Sequence, residues 1–452
     1  MAGRGRGRGR GAGGTRPRAR ARPAPPPPPP AAAAAAPGGA AAPPAAPPAA
    51  PRRVLFAAGG TGGHVFPALA IAEALEAETG DDGGGLDVAF AGSAGRMEAR
   101  AVPGAGRRFL PVPGVALARP LWRPRNLLLP LRLAAALLAC WRLLGRERPC
   151  CVVGTGGYVA FPTCLAAVLR GVPLFLQEQN ARAGVANRLL GRFARTIFLA
   201  FAQAAASFPA ARAAVVGNPV RRSIALAACG LSRADAAARL GLPRPRGTAV
   251  RAGGSAGARG KVLAVLGGSL GAQRLNEVLQ AAAGELLAHG VHLVWQTGPA
   301  YHGRFAGAVG GGGDAAGAAG EEHGGGQGSA LVLPFVEDMA AVYAAADLVV
   351  ARAGAITCSE LLATRTPAVL VPSPNVAGDH QTRNAEALAG AGAAVLLAEP
   401  DLTPEALVAR VLGLLGDDAA LGRMAAAGGA VGAADPAADV IARAILAEID
   451  PP

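Results

Sequence analysis

One short pattern occurs twice in the chain. RVLFAAGGTGG begins at Arg53 and KVLAVLGGSLG at Lys261, so that Gly59, Gly60 and Gly63 recur as Gly267, Gly268 and Gly271. In each copy an apolar run of strand character feeds a glycine-rich turn. The turn feeds a helical pattern, Pro67 to Glu76 in the first copy and Ala272 to Leu287 in the second. A strand that turns directly into a helix is the opening unit of a parallel sheet, and two copies predict two similar α/β domains. Further strand-then-helix units are read at Cys150 to Tyr158, Leu331, Asp347 and Pro367, as a parallel sheet in each half requires.

At 452 residues the chain exceeds one hydrophobic core, which agrees with two domains plus additional sequence. The expected division is a tail at 1–51, a first domain at 52–220, a linker at 221–260 and a second domain at 261–448. Low-complexity stretches at Arg244 to Gly260 and 307–328 read as insertions. The net charge of +14 belongs largely to the tail: ten arginines lie between Arg4 and Arg53, and no acidic residue precedes Glu73. With almost nothing apolar to bury, the tail is expected to be disordered. It is read as an organelle transit peptide, although it has no serine; its RG repeats would otherwise meet RNA phosphates only non-specifically. The six cysteines show neither a CxxC pair nor a zinc spacing, and are expected to be reduced, buried thiols.

A glycine turn at the end of a strand lets backbone approach a phosphate, and the following helix N-terminus offers it unpaired N–H groups. Close strand-helix packing would also explain a single such turn. Neither copy is a GxGxxG, and no acidic residue follows about 20 positions later at the end of a clear second strand to hold a ribose, as in dehydrogenases. His64 directly follows the first turn, where a neutral imidazole suits removal of a proton from a sugar hydroxyl; a structural histidine is the alternative. In the second half Thr357, Ser359 and Glu360 open a helix. Glu360 suits a pair of ribose hydroxyls, or simply the helix dipole. No DxD metal clamp is visible, so Arg221 and Ser269 are the candidates for stabilising charge on a departing diphosphate. From Leu121 to Pro149, leucines and Trp141 interleave with arginines, without about 18 uncharged residues in a row. That pattern suits a helix lying in a headgroup layer, or an amphipathic helix packed on the core.

In order, GGTGGHVFPALAIAEAL, GTGGYVAFP, QEQN, GNPVR, GGSLGAQRLNE, PFVEDM, GAITCSE and GDHQTRNA resemble the motifs of the MurG-type N-acetylglucosaminyltransferases of peptidoglycan synthesis. The resemblance runs from about Arg53 to Leu397. It implies a GT-B fold, two Rossmann-like domains whose parallel sheets face a cleft. It further implies transfer of N-acetylglucosamine from UDP-N-acetylglucosamine, a substrate and not a cofactor, to the C4 hydroxyl of a polyprenyl-pyrophosphate-linked N-acetylmuramoyl-pentapeptide. Carried over by motif, the donor would meet Thr61, Gly62, Gly63, Asn180, Arg221, Ser269, the backbone of Val336, the run Ala355, Ile356, Thr357, Cys358, Ser359 and Glu360, and Gln381. His64 would be the general base, and Gly154, Thr155, Gly156, Gly157 and Tyr158 would hold the acceptor's pyrophosphate; no metal is implied. Gln177 stands where histidine usually opens HEQN, and Ala353 where serine often precedes GA. A related lipid glycosyltransferase, such as a galactolipid synthase, and a catalytically idle binding protein are the alternatives. The expected place is the periphery of an anionic membrane, on the stromal side of a plastid if the tail is a transit peptide, or else the cytoplasmic face of a bacterial plasma membrane.

Overall fold

The computed structural model describes residues 52–80, 85–115, 123–224, 230–243, 258, 260–307, 328–431 and 436–449. The tail, most of both insertions and Cys229 lie outside them.

Two all-parallel sheets form the protein. The first has seven strands: β1 (Arg52–Ala58), β2 (Leu86–Gly92), β3 (Arg108–Pro111), β4 (Cys151–Gly156), β5 (Leu174–Glu178), β6 (Thr196–Leu199) and β7 (Ala213–Val215), in spatial order β3-β2-β1-β4-β5-β6-β7. The second has six: β8 (Val262–Leu266), β9 (His292–Gln296), β10 (Ala330–Leu333), β11 (Leu348–Ala351), β12 (Ala368–Leu370) and β13 (Ala394–Leu396), in order β10-β9-β8-β11-β12-β13. Each sheet therefore reverses its winding beside its first strand, between β1 and β4 and between β8 and β11. That is where open α/β sheets leave a crevice for ligands.

The repeated apolar runs become the central strands. Val54 to Ala57 and Val262 to Val265 are wholly buried, because helices cover both faces of each sheet. The first helix, Gly62–Thr79, begins five residues before its apolar periodicity does. The amides of His64 and Val65 both reach the Thr61 carbonyl, at 3.1 and 3.3 Å, and so close a helical turn at the glycines. Pro67 lies inside this helix and has no N–H to give the Gly63 carbonyl. In the second half Trp295 is fully buried. Its indole donates to Asn276 Oδ1 at 3.0 Å, and Asn276 Nδ2 donates to the Thr297 carbonyl at 2.8 Å, so the large ring leaves no polar atom unpaired. The last helix, Ala437–Ile449, returns to the first half: Ile441 and Ile445 pack with Ile71 and Leu75, and Arg443 pairs with Glu78 at 3.2 Å.

The arginine-interrupted segment forms the helix Leu129–Glu147, entered through a 3-10 turn at Pro124–Leu128. Its arginines do not stop it from being apolar: the 22 residues Asn126–Glu147 have the length and mean hydropathy, 1.8, of a membrane-crossing helix. It serves instead as the crossover from β3 to β4. Ala136, Cys140, Leu143 and Leu144 are buried, and Glu147 is held at the foot of the sheet by Arg53 at 2.8 Å and Arg108 at 2.9 Å. Leu127, Leu131 and Leu138 remain exposed, while Arg170 lies 4.4 Å over the half-exposed Trp141 ring. Of the five described cysteines all are free thiols, four buried and Cys150 partly so.

Candidate active site

The candidate residues gather at the two reversal points. Thr61 to His64 follow β1, Gly154 to Tyr158 end β4, Ser269 follows β8, and Ala355 to Glu360 follow β11. Strand order brings together residues that lie far apart in sequence.

His64 sits between two glycine loops. The β1–β4 register slips by one residue at Thr155, a bulge that turns the Thr155 side chain so that Oγ1 donates to the His64 carbonyl at 2.8 Å. Gly156 and Gly157 then take φ of +95° and +85°. A Cβ on Gly156 would lie 3.0 Å from the imidazole, and one on Gly157 would lie 2.4 Å from the Gly59 carbonyl oxygen. The loop reaches the ring only because both residues lack side chains. Thr61 Oγ1 lies 3.0 Å from His64 Nδ1. Burial in the cleft, and after it the nearby His380 ring, push the His64 imidazole down to about 4, against the Gly59 carbonyl, which favours the protonated ring. The residue is partly exposed, and the glycine loops press on its ring. His64 is neutral at pH 7 and able to accept a proton.

Glu98, buried on the neighbouring helix, fixes the first turn. Its two oxygens accept from the amides of Gly60 and Ser93, each at 3.1 Å. Tyr158 packs against Gly60, whereas Gly154 meets Cys164 and Leu176 and so serves strand-helix packing.

On the other side, Glu360 is the sixth residue of the helix Ala355–Thr364, one turn past the start where the sequence places it, so it does not meet the helix dipole as a first-turn carboxylate would. Tyr343 donates to its Oε2 at 2.9 Å, and Arg221 lies 3.5 Å from Oε1. Burial raises the Glu360 carboxyl above its ordinary value, opposed by Arg221 and the Tyr343 hydroxyl. The Arg221 guanidinium also lies 5.2 Å over the Phe66 ring of the first half. Its Nε is buried without a partner. Arginine and carboxylate, read in sequence as separate contacts, pair with each other.

The remaining donor candidates are spread around this pair. Ser269 is exposed at the tip of the second glycine turn. The Val336 amide, read in sequence as a contact to the nucleotide's base, donates to Gln296 Oε1 at 3.1 Å. Gln381 Oε1 accepts from the Ser373 amide at 2.8 Å. The Cys358 side chain points into the core, and burial pushes its thiol up to about 12, so only its backbone can meet a ligand.

Sequence reasoning missed the groups that hold the site together. Glu178 accepts from the amides of Asn180 and Gly184 and from Asn187 Nδ2, at 3.1, 2.9 and 2.9 Å. Burial raises its carboxyl, and these donors oppose the rise. Asn384 joins the halves: its Oδ1 accepts from the Ala181 amide at 3.0 Å, and its Nδ2 donates to the Ala353 carbonyl at 3.2 Å. A run of polar residues directly after an apolar strand, as in LFLQEQN, is the signal that marks such a junction.

Comparison with known proteins agrees with this geometry. Residues 54–199 match the glycosyltransferase family 28 N-terminal domain and residues 262–442 the family 28 C-terminal domain. A Salinibacter ruber protein is 46% identical over 398 residues, covering 88% of this chain and 97% of its own. It is named UDP-N-acetylglucosamine--N-acetylmuramyl-(pentapeptide) pyrophosphoryl-undecaprenol N-acetylglucosamine transferase. A Symbiobacterium thermophilum protein of the same name is 40% identical, covering 87% and 96%. The crystal structure of Acinetobacter baumannii MurG matches with a TM-score of 0.63 at 30% identity, over 87% of this chain and 99% of that one. The doubled parallel-sheet architecture is that of the GT-B enzymes, and the chain belongs to glycosyltransferase family 28.

Proposed function

We propose that the chain transfers N-acetylglucosamine from UDP-N-acetylglucosamine to the C4 hydroxyl of a polyprenyl-pyrophosphate-linked N-acetylmuramoyl-pentapeptide, inverting the anomeric carbon. The observation that carries this reading is a neutral His64, gripped by two glycine loops at one sheet's reversal point, facing the Glu360–Arg221 pair at the other's. The acceptor oxygen attacks the anomeric carbon from the face opposite the nucleotide, the bond to the UDP oxygen breaks, and the hydroxyl proton passes to His64. A base held this low accepts the proton once attack is advanced and the oxygen has become acidic. Charge left on the diphosphate is met by Ser269, by the amides that open the Ala355 helix and by Arg221, released when the ribose hydroxyls take its place on Glu360. Gly156, Gly157 and Tyr158 lie beside the base, where the acceptor's own pyrophosphate would rest.

Purified protein should incorporate label from UDP-N-acetylglucosamine into the muramoyl lipid. Incorporation of galactose from UDP-galactose into diacylglycerol instead would overturn the choice of substrates.

The lipid end of the acceptor suggests a docking face. Leu127, Leu131, Leu138 and Trp141 are exposed, with Arg142 and Arg146 exposed among them, an arrangement suited to the headgroup layer of an anionic membrane. Leu127→Ser with Leu131→Ser should abolish sedimentation with anionic vesicles; undiminished sedimentation would remove this face from the proposal. Residues 1–51 are proposed as a plastid address, with the cytoplasmic face of a bacterial plasma membrane as the other setting. Sequencing the mature N-terminus decides between them.

A further inference from the structure

The interior at the junction of the two halves contains amide side chains that no step of the transfer uses. Gln177, Gln179 and Asn218 are all buried. They form one line. Thr155 Oγ1 donates to the His64 carbonyl at 2.8 Å, and the Thr155 carbonyl accepts from Gln179 Nε2. Gln179 Nε2 also donates to Gln177 Oε1, and Gln177 Nε2 donates to Asn218 Oδ1 at 2.7 Å. Asn218 Nδ2 then donates to Ser359 Oγ at 2.8 Å, and Ser359 Oγ donates to the Ala355 carbonyl at 2.8 Å. The line begins at the backbone of the base and ends in the first turn of the helix that carries Glu360.

Asn218 is its crossing point. Its Oδ1 accepts from Gln177 Nε2, and its Nδ2 reaches the Gln179 carbonyl at 3.0 Å in the first half and Ser359 Oγ and the Ala355 carbonyl at 2.8 and 3.4 Å in the second. The halves do not depend on it for attachment. Asn384 joins them independently through Ala181 and Ala353, Arg182 donates to the Gly378 carbonyl at 3.1 Å, and the last helix packs across. What Asn218 ties is the first turn of the Ala355 helix to the polar line that runs back to the glycine loops around His64.

We propose that Asn218 is a positioning residue for transfer: it holds the donor's helix at the offset that aligns the anomeric carbon with the acceptor oxygen and the base. This rests on the transfer reaction proposed above. A displacement near 1 Å between reacting groups is enough to cost about 100-fold in rate.

The test uses the full chain with Asn218→Leu, which keeps the volume and removes all four of its side-chain bonds, and Gln177→Leu, which removes the bond into Asn218 Oδ1 and leaves the one from Asn218 Nδ2 to the Gln179 carbonyl. Asn218→Leu should lower kcat about 100-fold while calorimetric affinity for UDP stays within about threefold. The double variant should be no worse than Asn218→Leu alone, because both substitutions break one line. Gln177→Leu should lose less turnover than Asn218→Leu; turnover within about threefold of the parent in folded Asn218→Leu overturns the proposal, as does a loss of UDP affinity that matches the loss of kcat. A parent chain that neither binds UDP nor transfers sugar would instead refute the transfer reading.

Discussion

The two glycine turns share a sequence pattern and a place in the fold, yet they are built differently. The first is enclosed. Glu98 accepts the Gly60 amide, Tyr158 packs on Gly60, and Gly156 and Gly157 press on His64, so the turn and the base form one packed unit. The second is open. A Cβ on Gly268 would touch nothing within 4 Å, Ser269 is exposed and Leu270 is 81% exposed. A base must be held to a fraction of an ångström, and close packing does that. A turn that receives a diphosphate must leave its amides and tip accessible. In the transfer mechanism proposed above, the same strand-turn-helix unit would serve catalysis in one half and binding in the other, according to what surrounds it.

The comparison is broken most directly at His64. His64→Ala should lower kcat by about 10²- to 10⁴-fold, the range of a general base, and leave UDP affinity unchanged. Unchanged turnover would end its assignment as base. The enclosure also sets a pH signature. With the free-enzyme imidazole near 4, the neutral base persists well below the ordinary 6.5, so kcat/KM should hold as pH falls through 6.5 and decline only on approach to 4. An acid limb centred at 6.5 would mean that the ring is not enclosed. Stability should fall over the same interval: between 6.5 and 4 the unfolded chain takes up a proton that the folded His64 refuses.

The repeat, the parallel sheets and the positions of His64, Ser269 and Glu360 were legible because each depends on a few neighbouring residues. A run such as VLAVL followed by two glycines can do little else. Enclosure was not legible, since it depends on partners distant in sequence. Glu98 lies 38 residues from the amide it holds, and Asn218 lies 141 from Ser359. Nor does sequence say that Arg221 and Glu360 pair, a result of folding distant segments against one another. The start of the first helix was misjudged for a local reason. Gly62, Gly63 and His64 show no apolar period, yet the Thr61 carbonyl draws them into a helical turn.

The smallest effects sharpen the comparison further, because one substitution made in each half meets different surroundings. Gly157→Ala places a Cβ 2.4 Å from the Gly59 oxygen at a φ of +85°, so backbone must move where it contacts the base. We expect a loss of about 1–3 kcal/mol in urea unfolding and a fall in kcat of about 10- to 100-fold. Gly268→Ala has a similar φ, +82°, but open space around it. Only the conformational cost remains, about 1–2 kcal/mol, with kcat changed by less than about twofold and any further effect confined to the donor's KM. If the two alanines lowered kcat equally, enclosure would not be what separates the turns, and the difference between catalysis and binding would have to lie in the side chains of His64 and Ser269 alone.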